Sequence, residues 1–280
     1  MDARRIGCSS ATFRYAFLDD ALDRMQASGI EAIDMWMVPN WCPHFDPMSS
    51  TTLARKELRE RIESRGLRLT ALRAACGAYL INDERGPEVE GAYQRRSLEL
   101  AAEIECPLLL VHTGRDTWDS TFERHLTMVG DHLNELGRQA AELGVRLAIV
   151  CPHVTQLGLV FDKAKRVIAA TDPTYVGVAL DTAHVRLSGG SLATALELFG
   201  TRVEHVHLRD YKDGRYLMTP GDGDIDWPAF FAGLDGVGYQ GVCTLALEYP
   251  GENVDFHERE YLRALQHVRA AALSGSRLAG

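Results

Sequence analysis

Short apolar runs and longer amphipathic stretches alternate along the chain of 280 residues. The short runs are rich in β-branched residues and have the length of strands. Between the first two runs, apolar residues recur at the three- and four-residue spacing of a helix face, at Leu18, Ala21, Leu22 and Met25. The predicted strands are Arg5–Ser9, Ala32–Met37, Leu67–Arg73, Leu108–Thr113, Arg146–Val150, Val176–Leu180, Val203–His207 and Val242–Leu247.

The stretches that separate these strands predict helices, because each repeats apolar residues on one face. The further predicted helices are Leu53–Arg65, Val89–Ile104, Glu123–Leu143, Asp162–Ala170, Leu192–Phe199, Pro228–Leu234 and His257–Leu273. Eight strands that alternate with helices imply parallel pairing through right-handed crossovers.

Two architectures satisfy this order, a closed barrel and an open doubly wound sheet. An open sheet that binds a dinucleotide carries G-x-G-x-x-G after its first strand, but the residues after Ile6-Gly7-Cys8 read SSATFRYAF. The sequence therefore predicts an α/β protein with a single (β/α)₈ TIM barrel over residues 1–280.

Composition and charge narrow the class of function. Hydrophobic residues at 46% and charged residues at 25% are ordinary globular values, so a large core is expected. The net charge of −9 disfavours a nucleic-acid-binding surface, which normally has a basic balance. The start of the chain, MDARRIGCSS, has no apolar signal-peptide core, and no run of 18 apolar residues could span a bilayer. We expect a cytoplasmic protein with no membrane partner.

The six cysteines show no paired C-x-x-C spacing, and most lie in apolar runs. This pattern is typical of reduced thiols in a cytosol rather than of a disulfide framework.

Candidate chemistry follows four successive strands. In a TIM barrel the chemistry lies at the C-terminal ends of the strands, and Cys151 with His153, Asp181, His207 and Glu248 follow strands five to eight. Each has a structural explanation alone, since Asp181 could cap the next helix and Glu248 could be a solvated rim residue. Together they are harder to explain without a partner, because unpaired carboxylates are rare at the ends of buried strands. One divalent cation would satisfy them all.

These segments also carry a family resemblance. VGVALDTAH, VEHVHLRDYKDG, GDGDIDWPAFFAGL and YQGVCTLALEY resemble the xylose-isomerase-like barrel superfamily of sugar isomerases and epimerases, over strands five to eight. Its members include ketose 3-epimerases, hydroxypyruvate isomerases, inosose dehydratases and dehydroshikimate dehydratases. The resemblance implies a (β/α)₈ barrel with one divalent metal ion held by Glu, Asp, His and Glu. It carries Asp181, His207 and Glu248 over as ligands, His184 as a contact to metal-bound water or substrate, and Arg209 as a substrate contact.

The chain departs from the family at Cys151, where the family usually has a Glu followed by Pro-His or Asn-His. If the thiolate binds, a softer ligand favours Zn²⁺ or Fe²⁺ among the candidate ions Zn, Mn, Fe and Co. The substitution also leaves Glu248 as the only carboxylate of the usual acid–base pair. One-base chemistry through Glu248 or His153 is therefore expected, rather than two-base epimerisation.

The predicted function is that of a divalent-metal-dependent isomerase or epimerase of a small sugar, keto-polyol or related hydroxyketone. The metal ion would act as a Lewis acid on the enediolate, which forms when a positioned base removes an α-proton. The predicted catalytic residues are Glu248, His153 and His184, and the predicted substrate contacts are Arg209, His112 and Trp36.

Three alternatives stay open to different degrees. A dehydratase of a cyclic keto-polyol shares the metal and the enolate step. A non-catalytic barrel would follow if the metal site had decayed at Cys151. A DNA-repair endonuclease of the same superfamily is disfavoured, because YKDGRYLMTPGDGDID after strand seven contains no histidine and the net charge is acidic. The expected partner is a small-molecule substrate, and a homo-oligomer is possible.

Overall fold

The computed structural model describes residues 1–77 and 85–278. Within them, eight parallel strands form the barrel, and we number these strands in chain order. They are β1 (Ile6–Ser9), β2 (Ala32–Val38), β3 (Arg68–Ala74), β4 (Leu108–Val111), β5 (Arg146–Val150), β6 (Val176–Asp181), β7 (Val203–Leu208) and β8 (Cys243–Leu245).

The sheet closes on itself through β1. This strand pairs in parallel with β8, where Ile6 lies opposite Cys243, and with β2, where Cys8 lies opposite Ile33. Every other pair of consecutive strands is also parallel. The predicted fold class, a single TIM barrel, is confirmed.

The helices lie where the amphipathic stretches predicted them, with ends that shift by a few residues. They are α1 (Leu18–Ala27), α2 (Thr52–Glu63), α3 (Gly86–Glu103), α4 (Asp119–Glu142), α5 (Phe161–Ala169), α6 (Thr182–Leu187), α7 (Leu192–Phe199), α8 (Trp227–Gly236) and α9 (Val254–Leu278). Helix α6 was not predicted, because six residues are too few to show a helical period.

Two short antiparallel elements border the C-terminal end of the barrel, and neither was predicted. The segment Cys42–Pro43 pairs with the end of β2, and a hairpin of Asp210–Lys212 and Arg215–Met218 follows β7. Asp210 fixes the segment that follows the hairpin, because its buried carboxylate accepts hydrogen bonds from the backbone of Gly221 and from the Trp227 indole.

The alternation of side chains along each strand divides the core into two parts. Small and branched residues fill the barrel interior, namely Ala71, Leu108, Leu110, Ala148, Val150 and Ala179. The residues between them, such as Leu147 and Ile149 on β5, pack in the larger core between the strands and the helices. This period of two decides which side chains at the strand ends point into the mouth of the barrel.

In the part of the chain that the structure describes, no helix has the length and apolar character needed to cross a bilayer.

Candidate active site at the barrel mouth

Polar side chains from several strand ends meet at the C-terminal end of the barrel. We call them the mouth cluster: Arg73, His112, His153, Asp181, His184, His207, Arg209 and Glu248. Most of these groups are nearly inaccessible to solvent, which is unusual for charged side chains without a function.

Arg209 joins the two carboxylates of the cluster. Its Nη1 lies 2.5 Å from Glu248 Oε1, and its Nε lies 2.9 Å from Asp181 Oδ2. The second contact is an ion pair without a hydrogen bond, because Arg209 Nε and Asp181 Oδ2 both lack a partner of suitable geometry. Asp181 is fully buried, whereas the Glu248 side chain is 13% exposed. Glu248 is therefore the carboxylate that a substrate can reach.

Asp181 also shapes the local backbone. Its Oδ1 accepts hydrogen bonds from the backbone N–H groups of Ala183 and His184, and thereby caps α6. Asp181 therefore caps the helix through Oδ1, as predicted, while its buried Oδ2 has no hydrogen-bond donor.

A buried carboxylate lies beneath the mouth. Asp34 Oδ2 is 3.1 Å from His205 Nε2, 3.2 Å from His207 Nε2, and accepts a hydrogen bond from the Thr244 hydroxyl. Burial opposes ionisation, but the hydrogen bonds from the two histidines hold the pKa of Asp34 far below its usual value. His205 is therefore a structural partner of Asp34 on the same inward face of β7 as His207.

His207 has the geometry of a metal-binding imidazole. Burial lowers the pKa of His207 to about 4, so its ring is neutral at pH 7. Because Nε2–H donates to Asp34, Nδ1 carries the lone pair, and Nδ1 is buried without a partner. Histidines that bind metals usually donate their other ring N–H to a carboxylate in this manner.

Arg73 organises the other histidines. Its Nη2 lies 2.6 Å from His112 Nε2 and 3.0 Å from His153 Nε2, and its guanidinium carbon stacks 3.7 Å from the centre of the Trp36 ring. Burial lowers the pKa of Arg73 to about 10, so it remains protonated at neutral pH. Because a guanidinium only donates, both imidazoles must present an Nε2 lone pair to it.

This arrangement bears on the prediction that His153 could act as the base. Its Nε2 accepts from Arg73, and its Nδ1–H donates to the Val154 carbonyl oxygen at 2.6 Å. Burial holds the pKa of His153 well below its usual value. Both ring nitrogens are engaged, so Glu248 is the better placed base.

The structure contradicts the predicted metal ligation by Cys151. Ala148 and Val150 face the barrel interior, so the period of two turns Cys151 outwards, into the core between barrel and helices. Its thiol lies against Gly158 in the loop that precedes α5, since a Cβ atom on Gly158 would be 2.5 Å from Sγ and 3.2 Å from Cα of Ala164 in α5. Burial raises the pKa of the thiol to about 12, which disfavours a thiolate. Cys151 therefore has the sequence position of the family's Glu, but its side chain points away from the mouth of the barrel.

Two further residues that were predicted for the site, His184 and Trp36, lie at different depths in it. His184 lies in the mouth, with its ring centre 4.2 Å from that of His153 and 5.3 Å from that of Tyr216 on the hairpin. Trp36 is 2% exposed and lies behind Arg73 and His207, so it forms the floor rather than the wall of the site.

Two groups of potential ligand atoms for a divalent cation lie at the mouth of the barrel. Among residues 1–77 and 85–278, the group of three potential ligands that lies closest together is Asp34, His205 and His207, with ligand atoms within 4.8 Å of one another. Those atoms already bond to each other, however. Among the described residues of the mouth, the buried ligand atoms that make no hydrogen bond include Asp34 Oδ1, Asp181 Oδ2, His184 Nδ1 and His207 Nδ1. Asp181 and His207 are direct neighbours across β6 and β7, and Asp181 Oδ2 forms an ion pair with Arg209.

Sequence reasoning missed Asp34 and Arg73. Arg73 was the last residue of a predicted strand, so the rule applied to strands five to eight would have found it. Asp34 lies two residues before Trp36 on β2. Because side chains alternate along a strand, Asp34 shares the inward face of Trp36 and could have been found in this way.

A closed parallel barrel with an acid–base cluster at its C-terminal mouth defines an α/β barrel of the kind that hosts active sites at this end. The chain belongs to the xylose isomerase-like TIM barrel family, whose family model matches residues 22–271. The resemblance noted in the sequence is confirmed.

The chain is 30% identical over 166 residues to the inosose dehydratase of Geobacillus thermodenitrificans (strain NG80-2), which covers 52% of this chain and 55% of that protein. It therefore spans about half the length of the curated relatives it matches.

Two solved structures share the complete fold. A D-tagatose 3-epimerase-like protein superposes with a TM-score of 0.79 at 18% identity, covering 98% of this chain and 99% of that chain. The IolI protein, solved with a bound zinc atom, superposes with a TM-score of 0.76 at 18% identity, again covering 98% and 99%. At these identities the likeness shows the fold alone.

Proposed function

We propose that this protein is a divalent-metal-dependent isomerase or epimerase of a small sugar or keto-polyol. The observation that carries the proposal is the position of Glu248, a partly exposed carboxylate that Arg209 joins to Asp181. It is supported by Asp181 Oδ2 and His207 Nδ1, two buried ligand atoms that make no hydrogen bond. The inosose dehydratase relatives and the epimerase-like fold neighbours support a hydroxyketone substrate.

Asp181, His207 and Glu248 would hold the cation, with Asp34 fixing the orientation of His207. A bound divalent cation supplies Lewis-acid stabilisation of negative charge on the substrate's carbonyl and hydroxyl oxygens. Because Cys151 faces away, we propose three protein ligands rather than four, namely two carboxylate oxygens and one imidazole nitrogen. Such a set suits Zn²⁺, Mn²⁺, Fe²⁺ or Co²⁺.

The residues of the chain supply the proton transfer. Glu248 takes the proton from the carbon next to the carbonyl group, and the electron pair of that C–H bond moves towards the carbonyl oxygen. Arg209 Nη2 is a buried donor without a partner, so it is available to that oxygen. Return of the proton from Glu248 to the former carbonyl carbon, with transfer of the hydroxyl proton from the neighbouring oxygen to the former carbonyl oxygen, completes an isomerisation. Its return to the same carbon from the other face would need a second acid.

The similarity of the chain to an inosose dehydratase favours the dehydratase alternative. It shares the first proton transfer, after which a hydroxyl group leaves from the adjacent carbon with a proton donated by an acid of the site. The product is then a conjugated carbonyl compound, which absorbs in the ultraviolet, whereas an isomerised sugar does not.

The test is solvent exchange in D₂O with a panel of ketoses and keto-polyols, followed by NMR. We expect deuterium at the carbon next to the carbonyl group for the substrate of the wild-type protein. Glu248→Gln should slow this exchange by about 10²–10⁴-fold, the usual cost of a lost acid–base group. Glu252→Gln, an exposed glutamate four residues along the chain, is the matched control. Equal exchange rates in Glu248→Gln and the wild type would remove Glu248 from the mechanism.

A further inference from the structure

Arg73 is a buried cation whose polar partners are two imidazoles rather than a carboxylate. The residue is 2% exposed, and no carboxylate of a residue that the structure describes lies within ion-pair distance of its guanidinium. Its contacts are Nε2 of His112, Nε2 of His153 and the face of the Trp36 ring. Arg209, by contrast, pairs with two carboxylates of the mouth cluster. Charged side chains are rarely this deeply buried unless they are paired, so the position of Arg73 calls for an explanation.

A neutral side chain would satisfy the two imidazoles at a lower cost in free energy. A ring nitrogen with a lone pair needs only one N–H or O–H donor, which an amide or a hydroxyl group supplies. Burying an ion is expensive, and burial is the main reason that the pKa of Arg73 falls to about 10. The carboxylates of Glu248, Asp181 and Asp34 act in the opposite direction and favour the charged form. The mouth therefore favours a positive charge at this point, and not only a hydrogen-bond donor.

The two imidazoles are oriented as metal ligands are. Nε2 of His112 and Nε2 of His153 lie 2.6 and 3.0 Å from the same atom, Arg73 Nη2. His153 donates its other ring N–H to the Val154 carbonyl oxygen, a contact that commonly fixes the orientation of a metal-binding histidine. Burial keeps both rings neutral at pH 7, the form that binds a metal ion. Because Zn–N bonds are about 2.0–2.1 Å long, each ring would have to move by no more than about 1 Å to bind an ion in place of the guanidinium.

We propose that the guanidinium of Arg73 occupies a second cation site, whose protein ligands are Nε2 of His112 and Nε2 of His153. In the wild-type protein the guanidinium excludes a second divalent ion and limits the mouth to a single one. When the guanidinium is removed, the two imidazoles bind one Zn²⁺ together with water, because imidazole nitrogen suits this ion. The inference goes beyond the proposed function, since it concerns neither the substrate nor the base, and its ligands differ from the three proposed above.

Zinc titration of metal-stripped protein, purified without a metal-affinity tag and followed by calorimetry, tests the proposal. Arg73→Ala removes the charge and leaves space for an ion and its water, so it should bind one equivalent of zinc more than the wild-type protein. Arg73→Lys keeps a cation on a long side chain, and as the matched control it should bind no additional zinc. In the Arg73→Ala background, His112→Phe or His153→Phe should abolish the additional equivalent, because each removes one of the two ligands.

Thermal unfolding gives a second measurement on the same variants. An ion that binds only the folded protein stabilises it, so zinc should raise the thermal midpoint of Arg73→Ala more than that of the double variant Arg73→Ala with His153→Phe. If Arg73→Ala unfolds without metal, recovery of its fold on addition of zinc supports the proposal equally. An Arg73→Ala protein that zinc neither binds additionally nor stabilises overturns it.

The wild-type protein supplies a test that needs no variant. NMR signals of the ring nitrogens of His112 and His153 should stay unchanged in excess zinc, because Arg73 keeps the ion away from them. A wild-type protein that binds zinc through these two rings overturns the proposal. If the wild-type protein binds no zinc but Arg73→Ala binds one equivalent through them, the three-ligand site of the proposed function fails while this inference stands.

Discussion

Arg73 determines which ring nitrogens of the mouth histidines are free. A permanently charged donor holds the Nε2 lone pairs of His112 and His153, and its positive charge is one cause of their low pKa values, after burial. It therefore keeps both rings neutral and fixes which nitrogen of each ring bears the proton.

Arg73→Met should release both lone pairs while retaining an apolar contact with Trp36. We expect the pKa values of His112 and His153 to rise towards about 6.5, the ordinary value of histidine, although burial will limit the rise. Solvent-exchange activity should fall at least about tenfold, because two oriented imidazoles are lost from the site. Titration of the ring carbons by NMR measures the pKa change, with Arg259→Met on the exposed face of α9 as control. Unchanged titration curves would show that Arg73 does not set the protonation of these rings.

At the scale of single residues, the sequence predicts which residues lie at the ends of strands better than it predicts where their side chains point. Asp181, His207 and Glu248 follow their strands with the parity that points inwards, and the structure brings them to the mouth. Cys151 has the wrong parity, since Val150 already faces inwards. The ion pairs of Arg209 could not be predicted, because they depend on how long side chains from β7 cross to neighbouring strands.

Among the elements, β1 approaches the neighbouring strand β2 closely at Gly7. It closes the barrel by pairing with both β2 and β8. A Cβ atom on Gly7 would lie 2.1 Å from the Ala32 carbonyl oxygen, which is backbone and cannot move aside without shifting β2.

Gly7→Ala should lower the free energy of unfolding by about 1–3 kcal/mol or more, the usual cost of overpacking. The control is Gly236→Ala at the end of α8, where a Cβ atom would meet no atom within 4 Å. That change should be neutral or slightly stabilising, because alanine loses less backbone entropy than glycine. Urea unfolding midpoints decide, and equal midpoints for the two variants would contradict the close approach of β1 and β2.

The repeating elements could be predicted because strands and helices each have a regular hydrophobic period. Strand β5 was predicted with its observed bounds, Arg146–Val150, and α7 likewise as Leu192–Phe199. The hairpin after β7 and helix α6 could not, because their pairing and capping depend on single side chains such as Asp181 and Asp210 rather than on a period.

Several histidines are buried in the neutral form in the interior of the protein. Burial holds the pKa values of His112, His153 and His184 well below their usual value and lowers that of His207 to about 4. In the unfolded chain these rings titrate near about 6.5. Below that pH the unfolded chain binds protons that the folded protein does not, so acid favours unfolding.

The free energy of unfolding should therefore be constant above about pH 7 and fall as the pH decreases from about 6.5 to 5. Each such histidine contributes roughly 1.4 kcal/mol per pH unit in that window. Urea unfolding in the presence of a chelator, at several pH values from 5 to 8, measures the slope. The same unfolding midpoint at pH 5.5 and 7.5 would contradict the burial of neutral histidines.

The central claim is a cation site at the barrel mouth that uses Asp181 and His207 but not Cys151. Zinc titration of metal-stripped protein, purified without a metal-affinity tag, tests it most directly. We predict one equivalent of zinc for the wild-type protein and for Cys151→Ala with similar affinity. For Asp181→Asn, which retains the oxygen that caps α6, we predict a loss of at least about tenfold. A wild-type protein that binds no stoichiometric zinc, or a Cys151→Ala variant that loses zinc as Asp181→Asn does, would contradict this account.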